Sequence, residues 1–413
     1  MSGSRVFFFN RYVYPDHSAT SQLLTDLARH LAATGEKVLL VGSRQRYDDP
    51  DASLAAQETA DGFEIRRIGG SRFGRGSLVG RALDYLTYIV GAARLLWHEV
   101  QPGDRVVLMT DPPMLGAVLG PLASRRGAIC IHWLQDVFPE VAEVLLGRLW
   151  SGWRTAPLRW VRDLALRTAA RVVVISPGMA DRIVAMGVAC ERIDVIENWT
   201  DDETIRAIPP DANPLREAWG LQKVFVVGYS GNLGRAHDWR TMLEVADALR
   251  HRSDIAFVLI GGGRGQQAFA AAAAERSLGN VSLRPYQTRE ALALSLCVPD
   301  LHWLSLLPAL EGLILPSKLY GILAAGRPAL FIGDPEGEVA THLRTAEAGI
   351  AIAPNDVAAA VAVLERLADE PGLLAGMGAA ARRALEDSHT REHSLRSWSR
   401  LLGGSVLCRR RSS

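Results

Sequence analysis

Short apolar runs recur along this chain, each giving way to a turn-rich loop and then to a stretch of helical periodicity, and they recur in two series. The first reads as strand 5–10, helix 18–33, strand 37–41, strand 63–68, helix 78–97, strand 105–110, helix 114–124 and strand 128–134. An interrupted helical region follows, then strand 171–175, helix 177–186 and strand 193–196. The second reads as strand 224–230, helix 239–250, strand 256–260, an alanine-rich helix, strand 281–284, helix 289–296, strand 301–304, a short helix and strand 329–332. Strand, helix and strand in succession pack as a parallel βαβ unit with a right-handed crossover. Each series therefore predicts its own doubly wound α/β sheet, with ligand-binding loops at the carboxyl ends of the strands.

At 413 residues the chain is long enough for two cores. Between the series, 204–222 holds Pro209, Pro210 and Pro214 with little periodicity and reads as a linker. The expected division is a domain over 1–203, a domain over 223–388, and a final helix with a basic tail, 409–411, over 389–413. Beyond Glu338, two helical stretches are expected to run to the end. A formal charge of +1 gives no basic field for nucleic acid. Cys130, Cys190, Cys297 and Cys408 are scattered, with no Cys-x-x-Cys pair, and read as reduced thiols of a cytoplasmic protein. The start, Met-Ser-Gly-Ser before a strand, predicts no signal peptide. The longest apolar run, 83–97, is too short for a membrane span and contains Asp84 and Arg94.

The densest local signal is 306–328. It opens with Glu311-Gly312 after an apolar strand and continues through Pro316-Ser317-Lys318 into a helix whose Leu319, Ile322 and Leu323 share a buried face. Ser317 reads as the helix N-cap, and Gly326 with Pro328 as its end. A helix N-terminus with Lys318 beside it suits a phosphate, and Glu311 suits sugar hydroxyls.

This block, Pro316-Ser-Lys-Leu-Tyr-Gly-Ile-Leu-Ala-Ala-Gly326, resembles the donor-binding signature of family 4 glycosyltransferases, in particular the branch that builds bacterial surface polysaccharides such as colanic acid, capsule and O-antigen. The resemblance implies a GT-B fold, two Rossmann-like domains facing each other across a cleft. It also implies retaining transfer of a sugar, of hexosyl or N-acetylhexosaminyl type, from a nucleotide-diphosphate donor to a hydroxyl of a glycan acceptor, with polyprenyl-diphosphate linkage of that acceptor left open. One departure stands out. The family carries two glutamates with seven residues between them, and the position of the second falls here on Leu319 or, by another alignment, Gly321. Glu338 or Tyr320 is then expected to take over the ribose, with Gly312 and Tyr286 also near the sugar or nucleoside.

Further loops line up with the same family. The small residues Ser18-Ala19-Thr20 stand where relatives have Gly-Gly facing the phosphates and acceptor; the alternative is plain helix capping by Ser18. Gln135-Asp136 through Glu140 follows a strand, where a carboxylate enters the crevice of an open sheet and orients an acceptor hydroxyl. The alternative is that Asp136 caps the next helix. Gly231 lets backbone approach a ligand, Asn232 follows it, and Arg235 or His237 stands near the family's second cation, so Lys318 with Arg235 is the expected diphosphate clamp. Gly261-Gly-Gly reads as a base-side loop or a plain turn, and Asn198 to Asp202 as a turn leaving the first domain.

In 145–167, Trp150, Trp153 and Trp160 alternate with Arg148, Arg154, Arg159 and Arg162, as in a helix lying on a membrane surface or an ordinary amphipathic helix. The first alternative would place a cytoplasmic protein on the inner face of the membrane, beside a lipid-linked acceptor. No pattern argues for a metal or other cofactor: Asp49-Pro50-Asp51 matches Asp-x-Asp but sits in a hydrophilic loop. Two other readings stay open, a GT-B sugar-nucleotide 2-epimerase and a non-catalytic nucleotide-sugar-binding protein.

Overall fold

The computed structural model describes residues 4–403 apart from 48, 50, 74–77 and 151; the basic tail 409–411, Cys408, Pro50 and the Arg148 side chain lie outside the described residues. The chain divides into two compact units. The first comprises 1–197 together with 312–314 and 394–413, and the second 198–311 with 315–393.

In the first unit the elements are β1 (Arg5–Phe9), α1 (Ala19–Ala33), β2 (Lys37–Ser43), β3 (Gln57–Ala60), β4 (Phe63–Ile68), α2 (Leu78–Glu99) and β5 (Arg105–Leu108). There follow α3 (Leu115–Arg125), β6 (Ile129–Trp133), α4 (Glu140–Leu146), α5 (Ala156–Thr168), β7 (Arg171–Val174), α6 (Pro177–Ala185) and β8 (Ile193–Val195). The strand order is β3-β4-β2-β1-β5-β6-β7-β8, parallel except for the β3–β4 hairpin. The order reverses between β1 and β5, which opens a crevice at the carboxyl ends of those strands. Phe7, Phe9, Leu39, Val106 and Leu108 on the sheet pack with Tyr88, Ala92, Leu96, Leu115 and Leu119 of α2 and α3.

In the second unit the elements are α7 (Pro214–Ala218), β9 (Phe225–Asn232), α8 (Arg240–Ala248), β10 (Ile255–Gly262), α9 (Arg264–Glu275), β11 (Val281–Arg284), α10 (Leu292–Leu296) and β12 (Leu301–Ser305). Then come α11 (Lys318–Ala324), β13 (Ala329–Ile332), α12 (Glu338–Thr345), β14 (Gly349–Ile352), α13 (Val357–Asp369) and α14 (Pro371–Ser388). Its six strands are all parallel, in the order β11-β10-β9-β12-β13-β14, around a core that includes Tyr229, Phe257, Phe269, Trp303 and Leu330.

Part of the expected linker is packed structure. Asn213 caps α7 by accepting the Leu215 N–H at 3.0 Å. Arg216 is buried, ion-paired to Asp300 at 2.7 Å, and donates to the carbonyl of Leu221. The final helix, α15 (Arg391–Gly403), joins the first unit from Ser394 onward. There Trp398 is buried against Trp133, with ring centroids 4.6 Å apart, and His30 bonds Ser399 at 2.9 Å.

Two expectations are corrected here. The region beyond Glu338 contains a strand, β14, as well as helices, because Gly349–Ile352 completes the sheet edge beside β13. The Trp/Arg stretch is not one helix. Gly147 and Gly152 adopt positive φ (70° and 68°) and break it into α4, two 3-10 turns and α5.

Candidate functional site

The second unit gathers its polar groups around Lys318. Strand β9 ends at Gly231-Asn232, where Gly231 takes φ of 105°, a conformation side chains disfavour. A Cβ there would sit 3.0 Å from Lys318 Cε, so the glycine makes room for the lysine as well as for the turn. Lys318 opens α11. Its Nζ donates to the Asn232 carbonyl at 2.8 Å, contacts the Tyr229 hydroxyl, and lies 4.1 Å from the Tyr229 ring centroid. The Tyr229 hydroxyl donates to the same carbonyl at 2.9 Å. Among the described residues Lys318 makes no ion pair. Burial pushes its ammonium down to about 7. The Tyr229 phenol is pushed up, by burial first and then by Tyr286. His237 donates its Nδ1–H to the Ser305 carbonyl at 2.6 Å. Burial and then the neighbouring Lys318 lower its imidazole to about 4. Both causes hold His237 toward its neutral form in the free protein. Arg235 is exposed on the turn after β9.

Several expectations about the signature block are revised. Ser317 occupies the N-cap position of α11, but with φ −59° and ψ −18° it makes no side-chain cap bond and is exposed. Tyr320 is buried at 1% exposure with its ring 6.0 Å from that of His389, so it packs the core instead of meeting a ribose. The Glu311 carboxylate accepts the N–H of Glu338 at the start of α12, and an added Cβ at Gly337 would fall 2.7 Å from its Cδ. That bond holds the Glu311 carboxylate at the N-terminus of α12; Glu338, the first residue of that helix, takes part through its backbone alone. Tyr286 is exposed at 61% and lies against Gly262, 2.9 Å from where a Cβ would be. Gly312 falls in the first unit, with φ of 69° beside Arg182.

The first unit holds a cavity of about 310 Å³ at its topological switch point. Thr20 on α1, Gln135 and Asp136 after β6, and Thr110 and Asp111 after β5 line it. So do Arg11, Arg46, Arg81, Tyr12, Tyr47 and Tyr85. Arg11 is buried, with its guanidinium 5.1 Å from both the Tyr12 and Tyr85 ring centroids, 3.0 Å from Gln45 Oε1 and 3.7 Å from Asp84. Asp136 does not cap α4, whose N-cap is Pro139. It is held by an antiparallel bridge to Ile314, with the Val137 N–H donating to the Leu313 carbonyl at 2.9 Å. Its Oδ1 is buried without a hydrogen-bond partner. Burial, with a smaller push from Asp111 and against a hydrogen bond to Thr110, raises its carboxyl to about 6. A carboxylate whose pKa lies that near neutrality, in a polar cavity, is placed to accept a proton and return it.

Ser18 precedes α1 without a side-chain cap bond, its Oγ buried, and Ala19 is the first helical residue. Asp16 bonds the Ser18 N–H at 2.7 Å instead, and also the Tyr47 N–H at 2.6 Å. Glu140 is withdrawn from the acceptor loop. Both its oxygens pair with Arg162 at 2.8 Å, because that buried guanidinium needs a counter-charge.

Sequence reasoning missed Tyr229, the arginines and tyrosines of the first cavity, and Asp111. Asp111 carried a usable signal: like Asp136, it is a carboxylate directly after a buried strand.

The family described as a glycosyl transferase 4-like domain matches residues 19–199. The putative colanic acid biosynthesis glycosyl transferase WcaI of Escherichia coli (strain K12) is 28% identical over 267 residues, covering 63% of this chain and 65%, just under two thirds, of that protein. Among solved structures, sucrose-phosphate synthase from Thermosynechococcus elongatus superposes with a TM-score of 0.75 at 15% identity, covering 97% of this chain and 98% of that one. HepE of Anabaena in complex with UDP-glucose gives 0.71 at 13% identity, covering 97% and 100%. The architecture is GT-B, and the relatives of this chain, by sequence and by fold, are glycosyltransferases.

Proposed function

We propose that this chain, a glycosyltransferase by its relatives, is a retaining enzyme of surface polysaccharide assembly that moves a sugar from a nucleoside-diphosphate donor to a hydroxyl of a lipid-linked glycan acceptor. The observation that carries the reading is Lys318, a partly desolvated cation stacked on Tyr229 with no acidic partner among the described residues. Such a cation is paired when an anion arrives, and a diphosphate is the anion a sugar donor brings. Arg235 adds a second, exposed charge on the turn after β9.

In this scheme the donor diphosphate is bound by the second unit and the acceptor by the cavity of the first. As the bond from the anomeric carbon to the diphosphate oxygen breaks, Lys318 and Arg235 stabilise the charge growing on the leaving group. The acceptor hydroxyl attacks the face the diphosphate leaves, and a phosphate oxygen takes its proton. Asp136 and Gln135 position the acceptor, and the tyrosines of that cavity offer flat faces for a sugar ring. UDP-glucose bound by HepE supports a uridine donor as the first to try.

The test is a thermal-shift series with UDP, GDP and their sugars. A ligand at about a hundredfold its Kd stabilises a fold by roughly 2.7 kcal/mol. Stabilisation by one nucleotide that is lost in Lys318→Ala is expected. A response to none of them would refute the reading.

A further inference from the structure

Helix α2 is apolar on two opposite sides. Tyr88, Ala92 and Leu96 are buried against the sheet. Val79, Leu83, Leu86, Val90 and Trp97 are exposed, from 41% for Leu83 to 72% for Val79. At about 100° per residue these five fall within about 40° of one line, and that line runs for about 27 Å. A helix on a domain surface ordinarily turns polar residues to water on that side.

The stripe continues onto neighbouring helices. α2 packs on α3 and α3 on α5. They add the exposed Val118, Trp160 and Leu164, with Trp153 on the turn before α5. Trp153 and Trp160 are 81% and 68% exposed. In the second unit the exposed large apolar residues among those described are only Leu283, Tyr286 and Leu292. The charge on this face has one sign. The fully exposed charged residues of α2, α3 and α5 are Arg94, Arg125 and Arg167, while Asp84 is buried and Glu99 and Asp163 are half-buried. Arg126 stacks on Trp97 at 5.5 Å and Arg154 on Trp153 at 5.7 Å.

Apolar stripe, exposed tryptophans and exposed arginines together match the boundary of a negatively charged bilayer. We propose that the α2–α3–α5 face of the first unit rests on a membrane surface containing anionic phospholipid, with α2 as the main contact. A second copy of the chain is the poorer occupant, since a two-fold interface would bring two copies of the same arginine-bearing patch together. The proposal gives the lipid-linked acceptor of the preceding reading its location, yet its test uses no nucleotide, so either can fail alone.

The full chain is floated with vesicles of phosphatidylcholine, with or without phosphatidylglycerol, and tryptophan fluorescence is followed with bromine-labelled acyl chains. Binding to the anionic vesicles, weakened by salt and with tryptophan quenching, is expected. Leu86→Glu/Val90→Glu should weaken it roughly tenfold or more, since two apolar contacts are replaced by charges the lipid repels. Far-UV circular dichroism melting checks its fold, and Trp153→Ser/Trp160→Ser, altered only at highly exposed positions, repeats the test independently. No binding to anionic vesicles would overturn the proposal. So would binding unaffected by both folded variants, or a dimer in sedimentation that Leu86→Glu/Val90→Glu dissociates.

Discussion

If Lys318 meets the donor diphosphate, nucleotide affinity must depend on pH in a calculable way. In the free protein burial holds its ammonium at about 7. A bound diphosphate favours the charged form and returns the pKa toward the usual lysine value of roughly 10.4. Above pH 7 the free protein is increasingly neutral at this site, so binding takes up a proton and weakens as pH rises. If only the charged form binds, Kd grows in proportion to one plus ten to the power of pH minus pKa. Between about pH 7.0 and about pH 8.5 that is roughly a sixteenfold loss of affinity, or about 1.6 kcal/mol at 1.36 kcal/mol per decade. The window lies above the second ionisation of a phosphate, near 6, so the ligand contributes little to the slope. Isothermal titration of UDP in buffers of different ionisation enthalpy reads both affinity and proton uptake. Lys318→Arg keeps a charge that does not titrate in this range and should flatten the profile. A flat profile in the natural protein, or an unchanged slope in Lys318→Arg, would refute the reasoning.

Asp136→Asn should lower the rate of transfer to acceptor by about one to two decades without changing UDP affinity, as expected for loss of an acid–base or orienting group. It should also make the fold more stable. The carboxyl's folded pKa of about 6 is raised, so its favourable contribution is complete below the unfolded value of about 3.9 and is lost as pH rises through 6. Above that pH the ionised form is a net cost of at most about 3 kcal/mol, about half of it arising between pH 5 and 8, which asparagine removes; melting temperatures at pH 5 and 8 that move together for both proteins would contradict this. Glu140→Ala leaves Arg162 buried without its bidentate partner and should cost about 3 kcal/mol in chemical denaturation, while Glu140→Asp retains part of it. A loss of activity in Glu140→Ala with unchanged stability would return Glu140 to the acceptor site.

The two-sheet architecture was legible because parallel strands buried on both faces write continuous apolar runs, as Val6–Phe9 and Val172–Val174 do. Edge strands do not. β3, Gln-Glu-Thr-Ala, alternates between half-buried and exposed positions, and only the Asp61-Gly62 turn, with φ of 49° and 86°, announced its hairpin. In the signature block the motif located Lys318 but not its surroundings. Tyr229, which the ammonium contacts, is 89 residues away in sequence. Tyr320, written into the same motif, faces inward because the helix it occupies is short and largely buried. The Trp/Arg period misled for a local reason, since two glycines cut the helix, and yet Trp153 and Trp160 emerge exposed.

The first unit is closed by residues from the far end of the chain. Trp133 stacks on Trp398, and Arg105 donates to the Leu402 carbonyl at 2.7 Å. A ribosome delivers residues 1–197 long before 394–403, so the growing first unit must wait through the synthesis of the entire second one with an indole surface uncovered. A polypeptide released early carries an unfinished first domain with exposed apolar surface, which is what chaperones and proteases recognise.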